Sequence, residues 1–288
     1  EPYVACALMP AVLAAHLPAT PSWDRITGGL VDGGYRASVA WQTDPQALDA
    51  GFAGVRADER AGALVLEGES HGVIGAPLAD ALLVCAVLDG APALIAVPRE
   101  AAGLAIEDLT GSDGGTVSSV RLRQVAVGST AVLARGDAVA RAMSAALAEA
   151  TLASAAQLVG VAAAALDITL DYLKVRVQFG HPIGRFQALK HQLAHMALDV
   201  EPARALVWYA AYAWDAGLDD ATRAAAQAKA HLCEVYTRTT RAAIAAHGGI
   251  GYTWEYGLNY WFRRSVLNRA WLGSPAQHRA RAAQLGGW

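Results

Sequence analysis

The chain has 288 residues, 54% hydrophobic and 17% charged, with 23 Lys and Arg against 26 Asp and Glu for a formal net charge of -3. Such a composition is globular and excludes a disordered, fibrous or disulfide-stapled chain. Balanced charge leaves no broad basic surface for a phosphate backbone, so no nucleic-acid partner is expected.

Residues 3–16 are apolar at helical spacing and predict a helix, whereas the Pro- and Gly-rich stretch 17–34 predicts a loop. From Tyr35 to Leu133 the texture becomes short apolar runs between turn signals, at 36–41, 63–67, 81–88, 93–97 and 117–127. Asp89-Gly90 between two of them is a hairpin signal, so 35–135 reads as an antiparallel β domain. After Gly136, Asp137 is placed to cap a helix, and no proline follows until Pro182. One very long helix, or two nearly collinear ones, is expected there, its many alanines allowing close helix packing. Further helices are predicted at 186–214, 221–247 and 256–271, with Gly217, Gly248-Gly249 and Gly273 as stops. Residues 136–288 therefore read as an antiparallel helical bundle, and 1–34 as a short helical segment and loop.

Cys6, Cys85 and Cys233 are far apart in apolar surroundings, which predicts reduced thiols and a cytoplasmic chain. The start at Glu1-Pro2-Tyr3 has no basic region, so no signal peptide is expected, and no apolar run approaches the ~20 residues that span a bilayer. His191 and His195 share a helix face but have no third ligand, so no metal is expected. Trp208, Tyr209, Tyr212 and Trp214 predict core and interface packing.

Two strings carry chemistry. In the first, Arg176-Val177-Gln178-Phe179-Gly180 stands just before a helix break at Gly180-His181-Pro182, and Gln187 follows. A guanidinium fork near a helix end suits bidentate contact with a pyrophosphate. In the second, His247-Gly248-Gly249-Ile250-Gly251 ends a helix, where backbone N–H groups approach a phosphate without Cβ obstruction. Separately these are weak signals, because Gly-Gly-x-Gly is commonly a helix cap and a lone Arg a surface ion pair. Together, with Glu255 and Arg263-Arg264 following, they closely resemble the C-terminal domain of flavin-dependent acyl-CoA dehydrogenases. The resemblance implies an α+β fold: the acyl-CoA dehydrogenase fold without most of its N-terminal helical domain, with a middle antiparallel β domain and a C-terminal helical bundle. It also implies that Arg176, Gln178, Phe179, Gln187, Gly248 and Gly249 hold the ADP half of FAD across a subunit interface.

The chain departs from the family where catalysis needs a carboxylate to take the substrate's α proton. Most members place that glutamate before a Gly-Thr, and here Leu272 precedes Gly273-Ser274. A second group carries it on the long helix, at the position of Ala150. Glu149 is the remaining candidate, although one residue rotates a helical side chain by about 100°. Glu255 reads as a structural or capping carboxylate. The flavin-contacting Trp and Thr positions are Gly72 and Ile74. The resemblance therefore narrows to the non-catalytic subunit of heteromeric steroid-CoA dehydrogenases of steroid-degrading bacteria. Its expected partners are a catalytic paralogue in a heterotetramer, an acyl-CoA substrate and an electron-transfer flavoprotein. Two other arrangements remain open: a self-sufficient homomeric dehydrogenase using Glu149 or Glu255, and a flavin-free assembly subunit.

Overall fold

The computed structural model describes residues 3–44, 47–60 and 62–288. It divides into two compact units, Glu1–Gly111 with Gly115–Ala150, and Ser112–Gly114 with Thr151–Trp288. The fold class is the expected one, α+β, with a β region followed by a helical region.

In the first unit, a π-helical turn at Val4–Leu8 leads into α1 (Met9–His16). The stretch expected as a loop instead holds a second helix, α2 (Pro21–Asp32). Thr20 caps it by accepting from the Trp23 N–H, Pro21 supplies a preset φ in its first turn, and Gly33 closes it at φ 75°. Buried Trp23 and Ile26 hold its inner face.

Eight strands follow: β1 (Ala37–Ala40), β2 (Val55–Arg60), β3 (Ala63–Ile74), β4 (Ala81–Leu88), β5 (Ala91–Pro98), β6 (Leu104–Thr110), β7 (Thr116–Gly128) and β8 (Val132–Arg135). Their order is β6-β7-β3-β2-β4-β5-β8, with β1 beside β4. The sheet is mixed rather than wholly antiparallel, because β4 pairs in parallel with both β1 and β2. Near-complete burial explains the unbroken apolar run of β4, since a strand covered on both faces has no polar alternation. The Asp89-Gly90 hairpin forms as expected, both residues at positive φ. Leu66, Leu82, Val84, Ile95 and Leu122 centre the core.

α3 (Asp137–Val175) is one continuous helix of 39 residues, about 58 Å at 1.5 Å per residue. It contains an 18-residue stretch of mean hydropathy 1.6, so by length and composition it does reach what a membrane span requires, contrary to the sequence expectation. Its Ala155, Leu158 and Ala162 are fully buried in a protein core with residues of α4 (Gln187–Asp215) and α5 (Ala221–His247). The second unit ends with α6 (Leu258–Ala270) and α7 (Pro275–Leu285). The sequence reading lacked α7, although Ser274 and Gln277 form a capping box around Pro275. On α4, Trp208 (70% exposed), Tyr209 and Tyr212 (62%) stand on the surface, so the expectation of core packing fails for them within one chain.

Candidate functional site

α3 stops at Val175, before the break expected at Gly180-His181-Pro182, so Arg176 stands just past the helix end. Arg176 begins a short hairpin, β9 (Val177–Gln178) against β10 (His181–Pro182), turned at Phe179 (φ 55°) and Gly180 (φ 83°). A bulky residue at positive φ is held at a cost of roughly 1–3 kcal/mol, a pattern concentrated at ligand sites. The strain presents the Phe179 ring outward: it is 87% exposed, with its edge against Phe186 at 5.9 Å between centroids. Among the described residues the Arg176 guanidinium is exposed and has neither ion pair nor hydrogen bond. That observation removes the surface ion pair as its explanation and leaves its five donors for a ligand. The exposed Gln178 amide donates to the Val177 carbonyl at 2.9 Å, and Gln187, exposed at the start of α4, lies 3.0 Å from the His191 ring.

The glycines after α5 have three different reasons to be glycine. Gly248 stands at φ 66°, ψ -141°, which side-chain-bearing residues avoid. Gly251 is buried, and a Cβ there would lie 2.6 Å from the Ile244 carbonyl oxygen. Gly249 has neither constraint: it is exposed, and a Cβ would meet nothing within 4 Å. Open space over a glycine backbone at a helix end suits an approaching phosphate.

The two strings meet through three rings. Tyr172, one turn before Arg176, stacks on His247 at 4.2 Å, and Tyr256 packs against His247 at 4.8 Å. The sequence reading named His247 as the start of a motif and gave none of the three rings a role. The arrangement therefore gathers a free guanidinium, an exposed aromatic wall and an open glycine turn at one end of the bundle, which fits the ADP half of a dinucleotide.

The positions where a base is expected are built differently. Leu272 follows α6 at φ 58°, is 3% exposed, and its carbonyl accepts from His278 Nε2 at 2.7 Å. Burial pushes the His278 pKa down to about 4. Beneath the same turn lies fully buried Lys229, whose Nζ donates to Ser154 Oγ at 2.8 Å and to the Asn268 carbonyl, in the last turn of α6, at 2.9 Å. An orphan carbonyl at a helix C-terminus is a favourable acceptor for a cation. Burial lowers the Lys229 pKa, and no carboxylate pairs with it among the described residues. Neither Lys229 nor His278 was found from the sequence.

Ala150 is fully buried, and Glu149 is half-buried. Glu255 is exposed and makes no hydrogen bond or ion pair among the described residues, so it is not the capping carboxylate the sequence suggested. Gly72 sits at φ 67° in a β-bulge of β3, and a Cβ there would lie 2.6 Å from Gln42 Oε1, so a tryptophan would be strained and crowded. His191 and His195 are exposed, and no metal-holding cluster occurs among the described residues.

Comparison with known proteins agrees with this geometry. Residues 138–285 match the model of the acyl-CoA dehydrogenase C-terminal domain. The protein named "Probable acyl-CoA dehydrogenase YngJ" of Bacillus subtilis (strain 168) is 35% identical over 235 residues, 78% of this chain and 62% of its own length. The chain thus spans less than two thirds of that relative. The solved Tcur3481-Tcur3483 steroid ACAD G363A variant matches 99% of this chain and 76% of its own at 30% identity, with a TM-score of 0.83. The ChsE4-ChsE5 complex from Mycobacterium tuberculosis matches the same shares at 25% identity and a TM-score of 0.82. This chain belongs to the acyl-CoA dehydrogenase family, whose cofactor is FAD.

Proposed function

We propose that this chain is the non-catalytic subunit of a heterotetrameric acyl-CoA dehydrogenase, supplying the ADP end of an FAD site completed by a catalytic paralogue. The observation that carries the reading is a contrast within one unit: Arg176 is free for a ligand, while Leu272 occupies the base position. When bound, FAD supplies the hydride acceptor for α,β-dehydrogenation of an acyl-CoA. Arg176 would hold the pyrophosphate, the open backbone at Gly249 would let it approach closely while the Gly248 N–H stays on the Ala245 carbonyl, and Phe179 would wall the adenine or ribose. Gln178 and Gln187 add side-chain hydrogen bonds. Leu272 and Ala150 take no proton, so the α proton passes to a carboxylate of the paralogue.

A bulky, steroid-derived thioester is the proposed substrate. Support comes from the 30% likeness, over nearly the whole chain, to a steroid ACAD, and from the likeness to a two-component complex. An electron-transfer flavoprotein is the proposed acceptor, and three unpaired cysteines accord with a cytoplasmic setting. The test is anaerobic mixing with a steroid-derived acyl-CoA. The chain co-expressed with its paralogue is expected to show bleaching of the flavin absorption band, and the chain alone none. Bleaching by the chain alone would overturn the reading.

A further inference from the structure

His247 closes α5 immediately before the glycine turn, and its ring is fixed from three sides. Nδ1 lies 2.7 Å from the Ala243 carbonyl, which can only accept, so Nδ1 carries the hydrogen. The neutral ring then presents a lone pair at Nε2, and the Tyr256 hydroxyl 3.0 Å away is its donor. His247 is buried, and burial lowers its pKa, which favours that neutral form. Tyr172 covers the ring at an interplanar angle of 23° and directs its hydroxyl at the His247 carbonyl, 3.4 Å away. Tyr256 meets Tyr172 edge-on at 6.0 Å. Each residue comes from a different segment: the last turn of α3, the end of α5 and the turn before α6.

The polypeptide on either side of this cluster is what the proposed cofactor site uses. The Arg176 N–H is bonded to the Tyr172 carbonyl at 2.9 Å, and Gly248 is the next residue after His247. We infer that Tyr172, His247 and Tyr256 are positioning residues acting as one unit, which fixes the Gly248-Gly249 turn relative to Arg176 so that both meet the same pyrophosphate. This inference rests on the reading that these two elements hold FAD. The three side chains are not themselves assigned contacts with the cofactor.

Two variants test it. Tyr256→Phe keeps the ring and removes the donor to Nε2, and Tyr172→Leu keeps apolar volume and removes the stack. Backbone amide exchange in the full chain is read first, because it needs no bound cofactor. Loss of one hydrogen bond is expected to speed exchange at Gly248–Tyr252 about tenfold in Tyr256→Phe, with the central amides of α5 unchanged. FAD content of the complex with the paralogue is read second and is expected to fall in both variants, with Arg176→Ala as reference. Wild-type exchange at the turn in both variants overturns the inference, whatever the FAD content. A loosened turn with full FAD content also overturns it. In that case Arg176→Ala separates the causes: if that complex loses FAD, only the role of the three rings fails, and if it keeps FAD, the reading of the cofactor site fails too.

Discussion

Two regions of the second unit treat their polar groups in opposite ways. Past the end of α3 the Arg176 guanidinium has no partner among the described residues and the Phe179 ring is 87% exposed with its edge on Phe186, and past the end of α5 the Gly249 backbone lies open. At the end of α6, Lys229 donates to the Asn268 carbonyl, His278 donates to the Leu272 carbonyl, and Ser274 and Gln277 cap each other's backbone. Unsatisfied but exposed donors cost little until a ligand arrives, whereas buried groups must find partners inside the chain. On the proposed reading the first end meets a ligand, and the second holds itself. Substitutions at the α6 end should therefore register in stability, and those at the α3 end in binding.

The largest effect should come from Lys229→Ala. It opens a cavity, strips the Ser154 hydroxyl of its donor and leaves the Asn268 carbonyl with the weak Cys233 thiol donor at 3.5 Å, for an expected loss of about 3–4 kcal/mol. Thermal unfolding should show the midpoint falling by roughly 5–10 °C. His278 gives a pH dependence of known sign. Its folded pKa is about 4 against an ordinary 6.5, so the unfolded chain takes the proton first. Stability is complete above pH 6.5 and declines as pH falls toward 4, by on the order of 2–3 kcal/mol from this group. Denaturant titrations across that window should show a shallower decline for His278→Gln.

The other helix end should respond in the opposite register. Arg176→Ala should weaken FAD binding in the complex about 10- to 100-fold, the worth of a charge-assisted contact, with the unfolding midpoint of the chain unchanged. Full FAD occupancy in that variant would sink the assignment of the pyrophosphate contact. The smallest effect is expected from Ser274→Ala, which removes the cap of α7 at about 1 kcal/mol and leaves FAD content unaltered. Unfolding and flavin content measured on the same preparation would check both halves of that statement.

Legibility in the sequence followed the same division. β4 and α5 were read to their end residues, because an unbroken apolar run and a glycine stop are local signals. α2 was hidden by glycines and prolines that also act as caps, and edge strand β6 by exposed polar residues that lack the apolar alternation of a buried strand. Arg176 and Gly248-Gly249 stood out as motif strings by residue type and spacing, and the ligand assigned to them is the proposal made above. Lys229 was not, because nothing local in an alanine-rich helix tells a buried lysine from a solvated one. The contact of Tyr172 with His247 joins residues 75 apart, a tertiary fact that periodicity does not carry.

The central claim is that this chain keeps the cofactor's ADP site and has given up the base. The most direct measurement is a visible absorption spectrum with FAD and subunit stoichiometry, made on the chain alone and after co-expression with a full-length acyl-CoA dehydrogenase paralogue. Flavin is expected only in the assembly, at one FAD per pair of chains. A yellow lone chain carrying one FAD per chain would contradict it and return Glu149 to candidacy as the base.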